Sequence, residues 1–154
     1  MNVLLLVDTR NIFNALRISG KLNYKAYIEK AAGTDHIYHA IAYGSQPVNK
    51  AHDFITVLEK LGFICRFTEG SGNNYPSPNV QITIDALKMC ATGKIDRVIL
   101  GSSDPDLVDL VTHLKETGSV SAIDIYASRI PKILKDAATN YSEIDESLLL
   151  EAKT

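Results

Sequence analysis

Val3-Leu4-Leu5-Leu6-Val7-Asp8-Thr9-Arg10-Asn11 decides how this chain is read. Five consecutive apolar residues ending on an acid have the pattern of a strand buried on both faces, which occurs where helices cover both sides of a parallel sheet. A second junction of the same kind follows at Arg97 to Leu100, where the strand runs into Gly101-Ser102-Ser103-Asp104-Pro105-Asp106. In such sheets the carboxyl ends of the strands lie side by side. Asp8 and Asp104 therefore face one crevice if strands one and four are neighbours, and converging carboxylates suit a hard divalent cation.

Working outward, Ile12, Ala15, Leu16 and Ile18 have helical spacing up to Gly20, and Tyr24, Tyr27, Ile28 and Ala31 repeat it up to Gly33. His36 to Tyr43 is a second strand ending in Gly44, Phe54, Val57, Leu58 and Leu61 mark a helix closed by Gly62, and Phe63 to Phe67 is a third strand. Glu69 to Pro78 is rich in Gly, Asn and Pro and is expected to form a loop over the strand ends. Ser77 and Pro78 read as the cap and first turn of a helix burying Val80, Ile84, Leu87 and Ala91. Leu107, Leu110, Val111 and Leu114 give the next helix, Ala122 to Tyr126 a fifth strand, and Ile133, Leu134 and Ala137 a last helix. A loosely packed turn is expected after Glu146. The alternation predicts an α/β three-layer sandwich with a mostly parallel sheet of five or six strands. It is expected to form one domain over 1–146 with a tail at 147–154.

Composition limits the partners. The 154 residues carry 16 basic and 18 acidic side chains, a formal net charge of -2, so phosphate recognition has to be local rather than a property of the whole surface. No apolar run has the length of a membrane span or the flanks of a signal peptide, so a cytoplasmic location with no membrane partner is expected. Cys65 and Cys90 lack metal-ligand spacing and read as small core residues. His36, His39, His52 and His113 share no ligand spacing either.

Three blocks together resemble the signature of the NYN domain, whose LabA-like members belong to the PIN-like nuclease group. They are Val7 to Ile12, the segment Asn79 to Leu87, and Leu100 to Leu107. The likeness implies a PIN-like fold in which clustered acids bind Mg or Mn and hydrolyse single-stranded or structured RNA, leaving a 5′-phosphate and a 3′-hydroxyl. Carried over by position, it implies Asp8, Asp104, Asp106 and Asp85 as catalytic residues, and Asp8, Asp104, Asp106 and Asn79 as the metal set. Asn11, Ser102, Ser103, Arg10 and Lys88 are the expected phosphate contacts, with Lys94, Arg129, Lys132 and Lys135 as further candidates. Tyr75 is a candidate for base stacking.

Two departures from the family pattern are Asn79, where an acid is usual, and Ser103, where a glycine is usual. An amide oxygen can ligate a cation but adds no charge, so Asn79 weakens the expected metal site. Two structural readings compete with the functional one. Asp104 before Pro105 is a good helix cap and Asp106 favours the helix dipole. Asp85 lies six residues after Asn79, about 240° around a helix, so the two do not share one direction, and Asp85 has Lys88 as an alternative partner. The function is then a metal-dependent endoribonuclease or, alternatively, a weakened or inactive RNA-binding adaptor. A phosphatase using Asp8 as nucleophile is less favoured, because Arg10 takes the place of a second acid. A homodimer is allowed.

Overall fold

The computed structural model describes residues 1–44, 48–68 and 76–150. Six strands form one sheet: β1 (Asn2–Asp8), β2 (His36–Gly44), β3 (Phe63–Phe67), β4 (Arg97–Gly101), β5 (Ala122–Ala127) and β6 (Asn140–Glu143). Their order is β3-β2-β1-β4-β5-β6, and every neighbouring pair is parallel. The order reverses between β1 and β4, so the expected adjacency holds and the switch point lies just beyond Asp8 and Gly101.

Alternation along β1 sends its side chains to two cores. Val3, Leu5 and Val7 pack with α1 (Thr9–Leu16), α2 (Tyr24–Ala32) and α3 (Val48–Lys60) through Ile12, Tyr27 and Leu58. Leu4 and Leu6 pack with α4 (Asn79–Cys90), α5 (Val108–Thr117) and α6 (Lys132–Ala137) through Ile82, Val111 and Leu134. The result is a three-layer α/β sandwich, as the apolar runs predict. At the amino ends of the strands, Arg97 Nε lies 2.6 Å from Asp124 Oδ2 and its Nη1 lies 3.3 Å from Asp35 Oδ2. That end of the sheet carries its own ion-pair network.

Several details differ from the sequence expectation. The buried stripe of α4 is Ile82, Ala86 and Cys90, whereas Val80, Ile84 and Leu87 are exposed, Val80 at 70%. Both stripes have helical spacing, and the small side chains of Ala86 and Cys90 suit close packing of a helix on the sheet. Ser77 Oγ accepts from the Asn79 N–H at 3.3 Å, but Pro78 precedes the helix instead of occupying its first turn. Ile18 lies beyond the end of α1 and is 84% exposed. Val57 and Ile133 face solvent while their neighbours Leu58 and Leu134 fill the core. After β6 a 3-10 turn, Glu146–Leu148, buries Leu148, and Leu149 pairs antiparallel with Leu22. The loop carrying Tyr75 lies at 69–75, outside the described residues. No helix among the described residues is long and apolar enough to cross a membrane.

Candidate functional site

Asp8 is the last residue of β1 and the N-cap of α1, its Oδ1 accepting from the Asn11 N–H at 3.0 Å. The carboxylate is only 5% exposed. Burial holds its proton affinity above the ordinary value of 3.8; the Asn11 N–H opposes that rise, and the negative charge of Asp104 adds to it. Two acids from β1 and the β4 loop are thus close enough to repel one another, as the switch-point geometry requires.

The loop after β4 is shaped by its own side chains. Ser102 Oγ accepts from the Asp104 N–H at 3.1 Å, and Asn11 Oδ1 accepts from both the N–H and the Oγ of Ser103 at 3.0 and 3.2 Å. Asn11 therefore ties the start of α1 to this loop and fixes the spacing between Asp8 and Asp104. Gly101 is required at the turn: a Cβ there would lie 2.7 Å from the Tyr27 hydroxyl and 3.1 Å from Val7. Asp104 caps the 3-10 turn Pro105–Leu107, Oδ1 accepting from the Asp106 N–H at 2.9 Å. Its Oδ2 accepts from Asn79 Nδ2 at 2.9 Å, so α4 enters the site through its first residue. The amide oxygen Asn79 Oδ1 is buried and has no hydrogen-bond partner among the described residues.

The remaining expected residues separate by position. Asp106 is exposed and meets Asp104 through its backbone N–H. Asp85 is partnered by β2 and β3: its Oδ2 accepts from the Tyr43 hydroxyl at 2.7 Å and pairs with Arg66 Nε at 3.1 Å, where Lys88 is the alternative expected from sequence. Asp8, Tyr43 and Arg66 occupy one lateral row across β1, β2 and β3, so Asp85 clamps α4 over the strand ends. Burial, followed by the Asp85 hydrogen bond, raises the proton affinity of the Tyr43 hydroxyl. Sequence reasoning missed Tyr43 and Arg66; the signal was Arg66 itself, a cation near the carboxyl end of a largely apolar strand.

Arg10 lies two residues after Asp8, and its charge lowers that carboxyl's proton affinity. Lys88 is nine residues along α4 from Asn79, about 14 Å along the helix axis, and Lys94 lies beside Asn2 at the opposite ends of the strands. Lys132 pairs with Asp136 at 2.7 Å, Lys135 lies 3.9 Å from Glu143, and the Arg129 N–H binds Glu143 at 2.9 Å. The last two contacts tie α6 and the loop after β5 to Glu143 of β6, the edge strand on the far side of β4 and β5 from Asp8.

Among the described residues no group of three or more His, Cys, Asp or Glu side chains could hold a metal ion. The donor set at the switch point is two mutually repelling carboxylates and one orphaned amide oxygen. That set fits Mg or Mn in its commonest protein setting, where one or two carboxylates bind the ion and substrate phosphate and water complete its shell.

A crystal structure of a protein of unknown function from Vibrio parahaemolyticus RIMD 2210633 is similar over 97% of this chain and 96% of that one, with 26% identity and a TM-score of 0.85. No curated protein matches. The family model of the NYN domain matches residues 2–145. With that match over nearly its whole length, and with the acids of two signature blocks meeting at the switch point, the chain belongs to the NYN domain family, within the PIN-like nuclease superfamily.

Proposed function

We propose that the chain is a Mg- or Mn-dependent endoribonuclease of the LabA-like kind, hydrolysing phosphodiester bonds of single-stranded or structured RNA. The observation that carries the reading is the buried Asp8 carboxylate set against Asp104 beside the unpartnered Asn79 Oδ1. A cation offsets the repulsion between the acids and gives the amide oxygen a partner. Asp8, Asp104 and Asn79 would hold it, and when bound it neutralises phosphate charge and activates water.

The chain's own residues supply the rest. Arg10, two residues after Asp8, offers a guanidinium to the phosphate. Asn11 and Ser102 keep the two acid-bearing segments in register through the Ser103 and Asp104 N–H groups. Asp106 adds negative charge at the rim, and Asp85 acts by position, holding α4 so that Asn79 reaches Asp104. In the overall reaction water adds to phosphorus and the 3′ oxygen leaves, giving a 5′-phosphate and a 3′-hydroxyl.

One observation favours the adaptor as a second reading. Asn79 Nδ2 already donates to Asp104 Oδ2, so a neutral hydrogen bond takes over part of the stabilisation that a cation would provide. Labelled structured and unstructured RNAs incubated with Mg or Mn separate the two readings. The nuclease predicts cleavage that Asp104→Asn abolishes. Metal-independent binding without cleavage, unchanged in that variant, would establish the adaptor.

A further inference from the structure

A cavity of about 850 Å3 opens between α1, the start of α2, and α3. Its walls are mostly apolar, with Phe13, Tyr24, Phe54 and Val57 contributing, and Lys21 and Lys25 lie among its lining residues. Phe13 and Val57 are 56% and 52% exposed and both line the cavity. The Tyr24 and Phe54 rings lie 5.5 Å apart at 57°, and Phe54 continues to Phe67 at 6.1 Å. Gly44, itself a lining residue, leaves room for the Phe67 ring, since a Cβ there would lie 2.5 Å from it.

The cavity reaches the end of β1 that carries Asp8. Thr9 and Arg10, the two residues after Asp8, line it. A polymer whose phosphate sits at Asp8 and Asp104 therefore has its next groups at the mouth of this cavity. The flat apolar part of RNA is the base, which stacks on aromatic rings, while the flanking phosphates match lysines. We infer that this cavity is a nucleobase subsite, receiving one base of the RNA strand next to the phosphodiester held at the acids. The inference rests on the ribonuclease reading for the placement of that phosphate. The volume falls within the usual range for small-ligand pockets and accommodates either purines or pyrimidines.

The test is equilibrium binding by fluorescence anisotropy, with Ca2+ in place of Mg or Mn, an oxygen-seeking cation that holds the phosphate at the acids without supporting cleavage. The probe is a fluorescein-labelled single-stranded RNA octamer, used intact and with an abasic ribose placed at each position in turn. Wild-type protein is compared with Phe13→Ser, which removes an aromatic wall, and Val57→Trp, which fills the mouth. Both positions are solvent-facing, so each variant keeps its core. The subsite predicts that one abasic position weakens wild-type binding about tenfold. It also predicts that both variants bind the intact octamer about tenfold more weakly and no longer respond to that abasic position. Equal binding of the intact RNA by all three proteins overturns the inference, as does light scattering that shows either variant converting a wild-type dimer to monomer. Cleavage with Mg or Mn alongside unchanged binding in both variants would keep the ribonuclease and remove the subsite. Cavity-dependent binding without cleavage would keep the subsite and remove the ribonuclease.

Discussion

Asp8→Asn is expected to make the protein more stable while removing its activity. Folding places this carboxylate at 5% exposure near Asp104, and its proton affinity rises above the ordinary 3.8. An acid that binds its proton more tightly when folded destabilises the fold in its ionised form. Each tenfold difference in proton affinity corresponds to about 1.4 kcal/mol. Asparagine keeps an oxygen for the Asn11 N–H and caps a helix as well as aspartate does, so the cap survives while the charge is lost. The expected gain at pH 7.5 is on the scale of a single stabilising substitution, about 0.5–2 kcal/mol, or a rise in Tm of about 2–6 °C for a chain of this length.

The sign with pH follows directly. Below 3.8 Asp8 is protonated in folded and unfolded chains alike, and wild type and variant have similar stability. Between 3.8 and the raised folded value only the native state holds the proton, so wild-type stability falls as pH rises through that window. Above it the difference is constant. Thermal unfolding from pH 3.5 to 8, in EDTA, measures this difference. A variant less stable than wild type at pH 7.5, or a difference that does not vary with pH, would refute the reasoning.

Three further outcomes follow from the same geometry. Asn79→Asp exchanges the donor to Asp104 for a third acid, so it is expected to lower metal-free stability by about 1–3 kcal/mol and to raise Mg affinity, read by calorimetry. Gly101→Ala drives a methyl group into the Tyr27 hydroxyl and disturbs its 2.8 Å bond to the Tyr126 carbonyl, costing about 1–3 kcal/mol in denaturant unfolding. On α4, Val80→Ser is expected to change stability by no more than about 0.5 kcal/mol, whereas Ile82→Ala costs about 2–5 kcal/mol; chemical denaturation of the pair verifies which face is buried.

The parts of the fold legible in the sequence are those where one physical pressure dominates. Val3 to Val7 and Val98 to Leu100 are covered by helices on both faces, so their apolar runs are continuous and their ends place Asp8 and Asp104. β6 was harder to see, because Asn-Tyr-Ser-Glu at 140–143 is an exposed edge with no apolar run. On α4 two apolar stripes share helical spacing, and hydrophobicity alone does not choose between them. The choice comes from contacts remote in sequence: Asp104 with Asn79 at one end, and Tyr43 and Arg66 with Asp85 in the middle. For the same reason the Tyr43 and Arg66 partners of Asp85, which hold α4 over the strand ends, cannot be read from the chain. The aromatic cavity was illegible because Phe13, Tyr24, Phe54 and Val57 come from three helices, and each looks like an ordinary core position.

The most direct test of the central claim is Mn binding by electron paramagnetic resonance, on wild type, Asp8→Asn and Asp104→Asn. The account predicts one bound ion per wild-type chain and at least about tenfold weaker binding in each variant, as expected when one of only two charged donors is neutralised. Equal affinity in all three proteins would contradict the shared-cation site at the ends of β1 and β4.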